Sequence, residues 1–320
     1  MTYYDGCIFS KNIVVACSKL DSLDYDDYSH SNFVTYNKGN WGHEGIPFLV
    51  NSVCKFQPAS RNPEYILYSL GLLSGAVQSY WPKGTNTTIE FLPGAKEQGG
   101  LLHLHQIRPI GDDLYVVGIQ GQVYRRHQDK WVVFNQGLER LTSAQMQARN
   151  MTTAQIIEYT MNQDADLNSI DGTGPQNLYA VGSAGVVFYR GAGSWVSLPA
   201  VTNANLHRVR QVDAQTVYAV GDRGILLKGN AQSGFTVITT QIKDDLWGLE
   251  WFQGKLYLGS KRTGVYVYDG KSVTRVATLP EFECHTLHAN AGQLLALGSK
   301  DVYLTDDAKQ WQFLQNPDNV

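Results

Sequence analysis

The chain has 320 residues, room for two small domains or for one large closed architecture. Hydrophobic residues make up 43%, and 31 Gly, 18 Tyr and 7 Trp stand against only 17% charged residues, which excludes a coiled coil or a disordered chain and favours many short strands joined by tight turns. With 26 Lys+Arg against 29 Asp+Glu the net charge is −3, so the basic footprint of a nucleic-acid binder is missing and no direct nucleic-acid partner is expected.

The first residues carry no basic n-region, and the apolar run 13–17 is too short for a signal segment or a membrane span. The expectation is a cytoplasmic protein without membrane contact. Cys7, Cys17, Cys54 and Cys284 are scattered, with no CxxC pair and no zinc-ligand spacing, as suits free thiols in a reducing compartment.

Segments 13–17, 33–36 and 46–50 read as strands of one sheet. Between the first two lies an acidic stretch, 21–30, in which Asp21, Asp24, Asp26 and Asp27 interleave with Tyr25 and Tyr28. Its spacing does not fit a calcium loop, because no Gly stands at the turn. Carboxylates that steer an encounter and tyrosines that supply contact area make it a candidate surface for a basic protein partner. Segments 53–56, 66–70, 76–80 and 88–91 make a second sheet.

From residue 114 onward one unit recurs. LYVVGIQGQVYRR begins at Leu114, LYAVGSAGVVFYR at Leu178 and VYAVGDRGILLKG at Val217, with looser copies from Leu256 and Leu294. The glycine at its centre falls at Gly118, Gly182, Gly221, Gly259 and Gly298, so the last three steps are 39, 38 and 39 residues. Each unit alternates, turns, alternates again and ends on Trp131, Trp195, Phe235 or Trp311. About forty residues with four short strands describe one blade of a β-propeller. Five such units and the two N-terminal sheets predict an all-β, seven-bladed β-propeller spanning 1–320 as a single domain, with a six-bladed ring as the alternative. The last unit, 285–314, already holds four strands, so the ring should close without a swapped outer strand, although 3–9 could pair there.

One step is too long: Gly118 to Gly182 is 64 residues. The excess, 135–165, contains two candidate capping boxes, Thr142-x-x-Gln145 and Thr152-x-x-Gln155, which predict a helical insertion at about 143–161, as helices near 143–149 and 153–161.

Aligning the innermost strands on the repeat glycine brings His105, Asn168, His207, Trp247 and His285 into register, each following an apolar residue. They are the candidate channel rim, with Arg208 and Arg210 adding charge. His103 and His105 alternate on one strand, but two ligands do not make a metal site, and His285 and His288, three apart on a strand, should point to opposite faces. No catalytic residues, metal or cofactors are assigned.

The segment LNSIDGTGPQNLYAVGSAGVVFYRGAGSW, 167–195, resembles the bacterial propeller repeat L-x-x-I-x-G-x-x-x-x-x-x-Y-A-V-G-x-x-G, whose family relates to photosystem-assembly-factor-like and sialidase-like propellers. That resemblance implies the fold. The S-x-D-x-G-x-x-W boxes usual in sialidases do not occur. As a whole the chain resembles the propeller immunity proteins of contact-dependent inhibition and related polymorphic toxin systems. This implies a non-catalytic protein that blocks a cognate toxin, a basic RNase such as an EndoU-type domain. The alternatives are a ligand- or carbohydrate-binding or enzymatic propeller that uses the rim, and an assembly factor for a larger complex.

Overall fold

The structure is a computed structural model and describes residues 1–319 other than 25, 26, 28, 58–65, 81–86, 98, 102, 140–142 and 162–165, with backbone alone at 143 and 158–161. Seven four-stranded antiparallel sheets follow one another along the chain, each built from consecutive strands. Their innermost strands are Thr2–Ser10, Val50–Phe56, Leu104–Ile110, Leu167–Gly174, Leu206–Gln211, Leu246–Phe252 and Thr286–Asn290, in blades 1 to 7. Each packs against the innermost strand of the next blade, and the last packs against the first. The ring is a seven-bladed β-propeller; six blades are ruled out.

Second strands such as Val217–Gly221 are buried at every position, because a blade is covered on both faces by its neighbours. This is why the repeat reads as LYAVG or VYAVG rather than as strict alternation. Seven apolar clusters fill the seven boundaries between blades. At the boundary of blades 7 and 1, Ile8 meets Leu295 and Leu297.

The repeat glycines are dictated by close approach. A Cβ on Gly182 would stand 1.7 Å from the Asp166 carbonyl oxygen, and one on Gly221 1.9 Å from that of Asn205. Each carbonyl belongs to the residue just before its own blade's innermost strand. The side chains there are used as well: Asp166 Oδ1 accepts from Gln120 N at 2.7 Å, Asn205 Oδ1 from Ala184 N at 3.0 Å and Asp245 Oδ1 from Arg223 N at 2.9 Å. Gln120, Ala184 and Arg223 sit in left-handed turns of the preceding blade, at φ 58, 53 and 56. An Asp or Asn ahead of the inner strands of blades 4, 5 and 6 thus holds an otherwise unfavourable turn next door.

Two strand expectations are corrected. The outer strand of blade 1 is Asn40–Ile46, not 46–50. It is exposed along most of its length and carries few apolar residues, whereas Phe48 and Leu49 are buried in the link to blade 2. Segment 3–9 does not pair at ring closure as an outer strand; it lies in the innermost strand of blade 1. Closure instead uses polar clasps between blades 7 and 1. Asn12 N donates to Gln293 Oε1 at 2.7 Å, Asn290 Nδ2 to the Ile8 carbonyl at 2.8 Å and Tyr3 N to the Ser299 carbonyl at 3.0 Å.

The insertion between blades 3 and 4 forms helices α1 (Ser143–Ala148) and α2 (Thr153–Met161). Thr152 and Gln155 make the reciprocal contacts of a capping box, Thr152 N to Gln155 Oε1 at 2.8 Å and Gln155 N to Thr152 Oγ1 at 3.3 Å. Thr142, called as the first cap, lies outside the described residues. All four cysteines are buried and free. Among the described residues no helix is long and apolar enough to cross a membrane.

Candidate functional site

Each inner strand carries one extra residue near its start. Leu167 pairs with Gly182 and Ser169 with Val181, so Asn168 is left over, a β-bulge. Equivalent shifts leave over Tyr4, Asn51, His105, His207 and Trp247. In blade 7 the His285 N–H and the paired residue Thr286 both meet Leu297. A bulge re-aims its side chain, and here it turns six of the seven toward one mouth of the channel. Tyr4, His105, Asn168, His207, Trp247 and His285 line a single cavity of about 480 Å³, together with Arg208 and Glu283.

The five rim residues read from the sequence are thus brought together. Tyr4 and Asn51 were missed because blade 1 has Ser18 at this register position, and Gly71, which pairs with Val50 in blade 2 as Gly182 does with Leu167, does not stand in a recognisable copy of the repeat. The bulge also corrects the reading of His285 and His288. One extra residue puts an i, i+3 pair on the same side, and both rings face the channel, His288 deeper, in the second cavity beside Arg108 and Arg210.

Part of the rim is engaged in holding blades together. Asn51 Nδ2 donates to the Leu104 carbonyl, His105 Nδ1 lies 2.9 Å from the Leu167 carbonyl, and Asn168 Nδ2 donates to the Leu206 carbonyl at 2.9 Å. The carbonyl can only accept, so His105 Nδ1 carries the proton. Burial pushes the His105 pKa down, which keeps the ring neutral. From blade 5 the pattern changes. His207 Nε2 turns to Asp222 Oδ1 at 2.6 Å within its own blade, and its ring packs 5.4 Å from that of Trp247. Burial pushes His207 down and the Asp222 carboxylate opposes it. Lys261 Nζ stands 4.7 Å above the Trp247 ring.

Arg208 lines the mouth, while Arg210 lies deeper and is paired at 2.9 Å with Glu250, whose burial holds its carboxyl above the usual range. Arg108 pairs with Asp171 at 2.9 Å. Among the described residues no cluster of three or more His, Cys, Asp or Glu could hold a metal ion.

The acidic loop joins the second and third strands of blade 1, and the insertion joins the last strand of blade 3 to the first of blade 4. Both connections therefore leave the ring at the end where the inner strands begin, the end that carries the rim cavity. In the loop, Asp21 takes hydrogen bonds from the Met1 ammonium at 2.9 Å and Thr2 Oγ1 at 2.7 Å and pairs with Lys300, which together hold its carboxyl well below the usual range. Asp24 is exposed and lends its main-chain carbonyl to Lys19 Nζ at 2.6 Å. Asp27 Oδ1 accepts from Ser29 N at 2.8 Å. Tyr25, Asp26 and Tyr28 lie outside the described residues.

No family model matches the chain. The immune protein Tsi7 of Pseudomonas aeruginosa is 25% identical over 317 residues, covering 96% of this chain and 94% of that protein. Among solved structures, the WD40 β-propeller domain of Doa1 superposes with a TM-score of 0.65 at 9% identity, covering 99% of this chain and 94% of that one. YCF48 from Cyanidioschyzon merolae gives 0.62 at 14% identity over 100% and 96%, and YCF48 bound to D1 peptide gives 0.63 at 11% over 95% and 92%. The structural likenesses carry the fold alone.

Proposed function

We propose that this chain is an immunity propeller that binds a cognate toxin in the cytoplasm and blocks it without catalysis of its own. The observation that carries this reading is the similarity to Tsi7, which runs through nearly the whole of both chains and so spans all seven blades rather than one repeat. The toxin we have in mind is a basic nuclease domain, such as an EndoU-type RNase, of a contact-dependent inhibition or related polymorphic system. The net charge of −3 and the exposed Asp24 support a basic partner, since long-range attraction speeds association of opposite charges. The end of the ring with the cavity, the acidic loop and the insertion is the docking face in this reading. Covering an active-site cleft by bulk requires neither a cofactor nor a catalytic group.

The test is co-expression with the product of the gene directly upstream. Rescue of growth and a stable complex on size-exclusion chromatography are expected. Failure of both, with affinity capture returning only subunits of a larger assembly, would sink the proposal in favour of an assembly factor.

A further inference from the structure

In blades 1 to 4 the position that follows the bulge supplies an accepting oxygen to the next blade. Asp5 Oδ2 accepts from Val53 N at 3.1 Å, Ser52 Oγ from Ile107 N at 3.2 Å, Gln106 Oε1 from Ile170 N at 2.9 Å and Ser169 Oγ from Val209 N at 3.2 Å. The sequence of acceptors then stops. Blade 5 has Arg208 at this position, a cation with no acceptor, and blade 6 has Gly248, with no side chain at all.

Arg208 is also the channel arginine without a carboxylate. Its hydrogen bond is Nη1 to the His207 carbonyl at 3.1 Å, and among the described residues no Asp or Glu lies within ion-pair distance of it. The carboxylate of Asp5 acts on it from farther off, but its oxygens are already taken by Ser52 Oγ, Val53 N and Thr286 Oγ1. Burial and the nearby Arg108 lower the pKa of Arg208, as for a charge short of compensation. A guanidinium withdrawn from bulk water and lacking a partner is costly, and an anion offsets that cost.

The walls of the same cavity point the same way. Among the described residues Trp247 Nε1 and His285 Nε2 have no hydrogen-bond partner, and His285 is only 8% exposed. Lys261 over Trp247 adds a second positive charge, and the carboxylates at this mouth are Glu283 and Asp222, the latter held at 2.6 Å by His207. A planar fork of N–H donors flanked by carboxylates matches a singly charged carboxylate better than a doubly charged phosphate.

We infer that the rim cavity around Arg208, Trp247 and His285 is a binding site for a carboxylate group. This inference is independent of which protein the propeller blocks. The carboxylate can come from an acidic polypeptide side chain or from a small organic acid, and the probes below separate the two.

The experiment is an indole N–H titration by ¹⁵N NMR, the Trp247 resonance being the one that disappears in Trp247→Phe. Probes are propionate, the capped peptide acetyl-Gly-Glu-Gly-amide and inorganic phosphate, each against sodium chloride of equal ionic strength. Both carboxylates should move the Trp247 resonance saturably. Arg208→Met should weaken this by about tenfold or more, as loss of a charged hydrogen bond does, and Glu283→Gln should tighten it. Tighter binding of the peptide identifies a polypeptide source, and equal binding identifies a small acid. The inference is overturned by no saturable shift in the wild type beyond that of chloride, by unchanged binding in Arg208→Met, or by phosphate binding more tightly than both carboxylates. If Arg208→Met fails to fold, the wild-type titration and Glu283→Gln still decide.

Discussion

Asn168 Nδ2 donates a 2.9 Å hydrogen bond to the Leu206 carbonyl, tying blade 4 to blade 5 at the mouth of the channel. The residue is partly buried, so the bond should contribute about 1 kcal/mol. Asn168→Ala should lower the melting temperature by a few degrees. Asn168→Asp should cost more, because it sets an acceptor against an acceptor. Thermal melts of the three proteins provide the check; identical midpoints would mean that the clasp does not form in solution.

The repeat glycines offer a sharper comparison. Gly182→Ala places a methyl group where the Asp166 carbonyl already stands, and the backbone at the start of that blade's innermost strand must shift to admit it. Gly193 faces open space. We expect Gly182→Ala to destabilise by about 3 kcal/mol or more, or to abolish soluble expression, and Gly193→Ala to be nearly neutral. Urea denaturation of the two variants beside the wild type measures the difference. Equal midpoints would show that the glycine period reflects something other than close approach.

These two residues also mark how far the sequence could be read. Gly182 and its counterparts were legible because a steric demand at one point of blades 3 to 7 leaves a periodic letter. The rim residues were legible through the same register, since a bulge 12 to 14 residues ahead of that glycine recurs in blades 3 to 7. Their hydrogen bonds were not. Whether His105 faces a carbonyl next door or His207 turns back to Asp222 depends on neighbouring blades that are far apart in sequence. The Asp or Asn ahead of the inner strands of blades 4 to 6, Asp166, Asn205 and Asp245, left a signal that goes unnoticed beside the leucine that follows it. Strand Asn40–Ile46 left none, because an exposed outer edge needs no apolar pattern.

His288 provides a pH test. Its Nδ1 accepts from Ile8 N at 3.1 Å, so the folded state requires the unprotonated nitrogen. Burial first, then Arg108, Arg210 and Lys55, push its pKa down from 6.5 to about 3. Below pH 6.5 the unfolded chain takes up a proton that the folded chain refuses. Stability from this group is therefore complete above about pH 6.5 and declines as the pH falls toward 3, by up to about 1.4 kcal/mol per unit. His288→Gln should reduce the stability difference between pH 7.5 and pH 5 by about 2 kcal/mol. Guanidinium unfolding at both pH values measures it, and the same pH dependence in wild type and variant would refute the assignment.

The acidic loop divides into two roles that can be separated experimentally. The Asp21 carboxylate is committed to the Met1 ammonium, Thr2 and Lys300, contacts that fasten the start of blade 1 to the turn of blade 7. Asp21→Asn should therefore lower the melting temperature modestly, as expected for a half-exposed ion pair, and barely change the rate at which a partner associates. Asp24 offers the structure only its main chain, and Asp27 needs only one oxygen to accept from Ser29 N, which an asparagine still provides. The double variant Asp24→Asn with Asp27→Asn should melt like the wild type. If the loop steers a basic toxin domain, that variant should associate several times more slowly at low salt and converge on the wild type at high salt, where attraction beyond a few ångströms is screened. Surface plasmon resonance against the toxin identified by co-expression measures both rates. A double variant with wild-type association at low salt would remove the loop from the encounter and leave the rim cavity and the insertion as the surfaces to test.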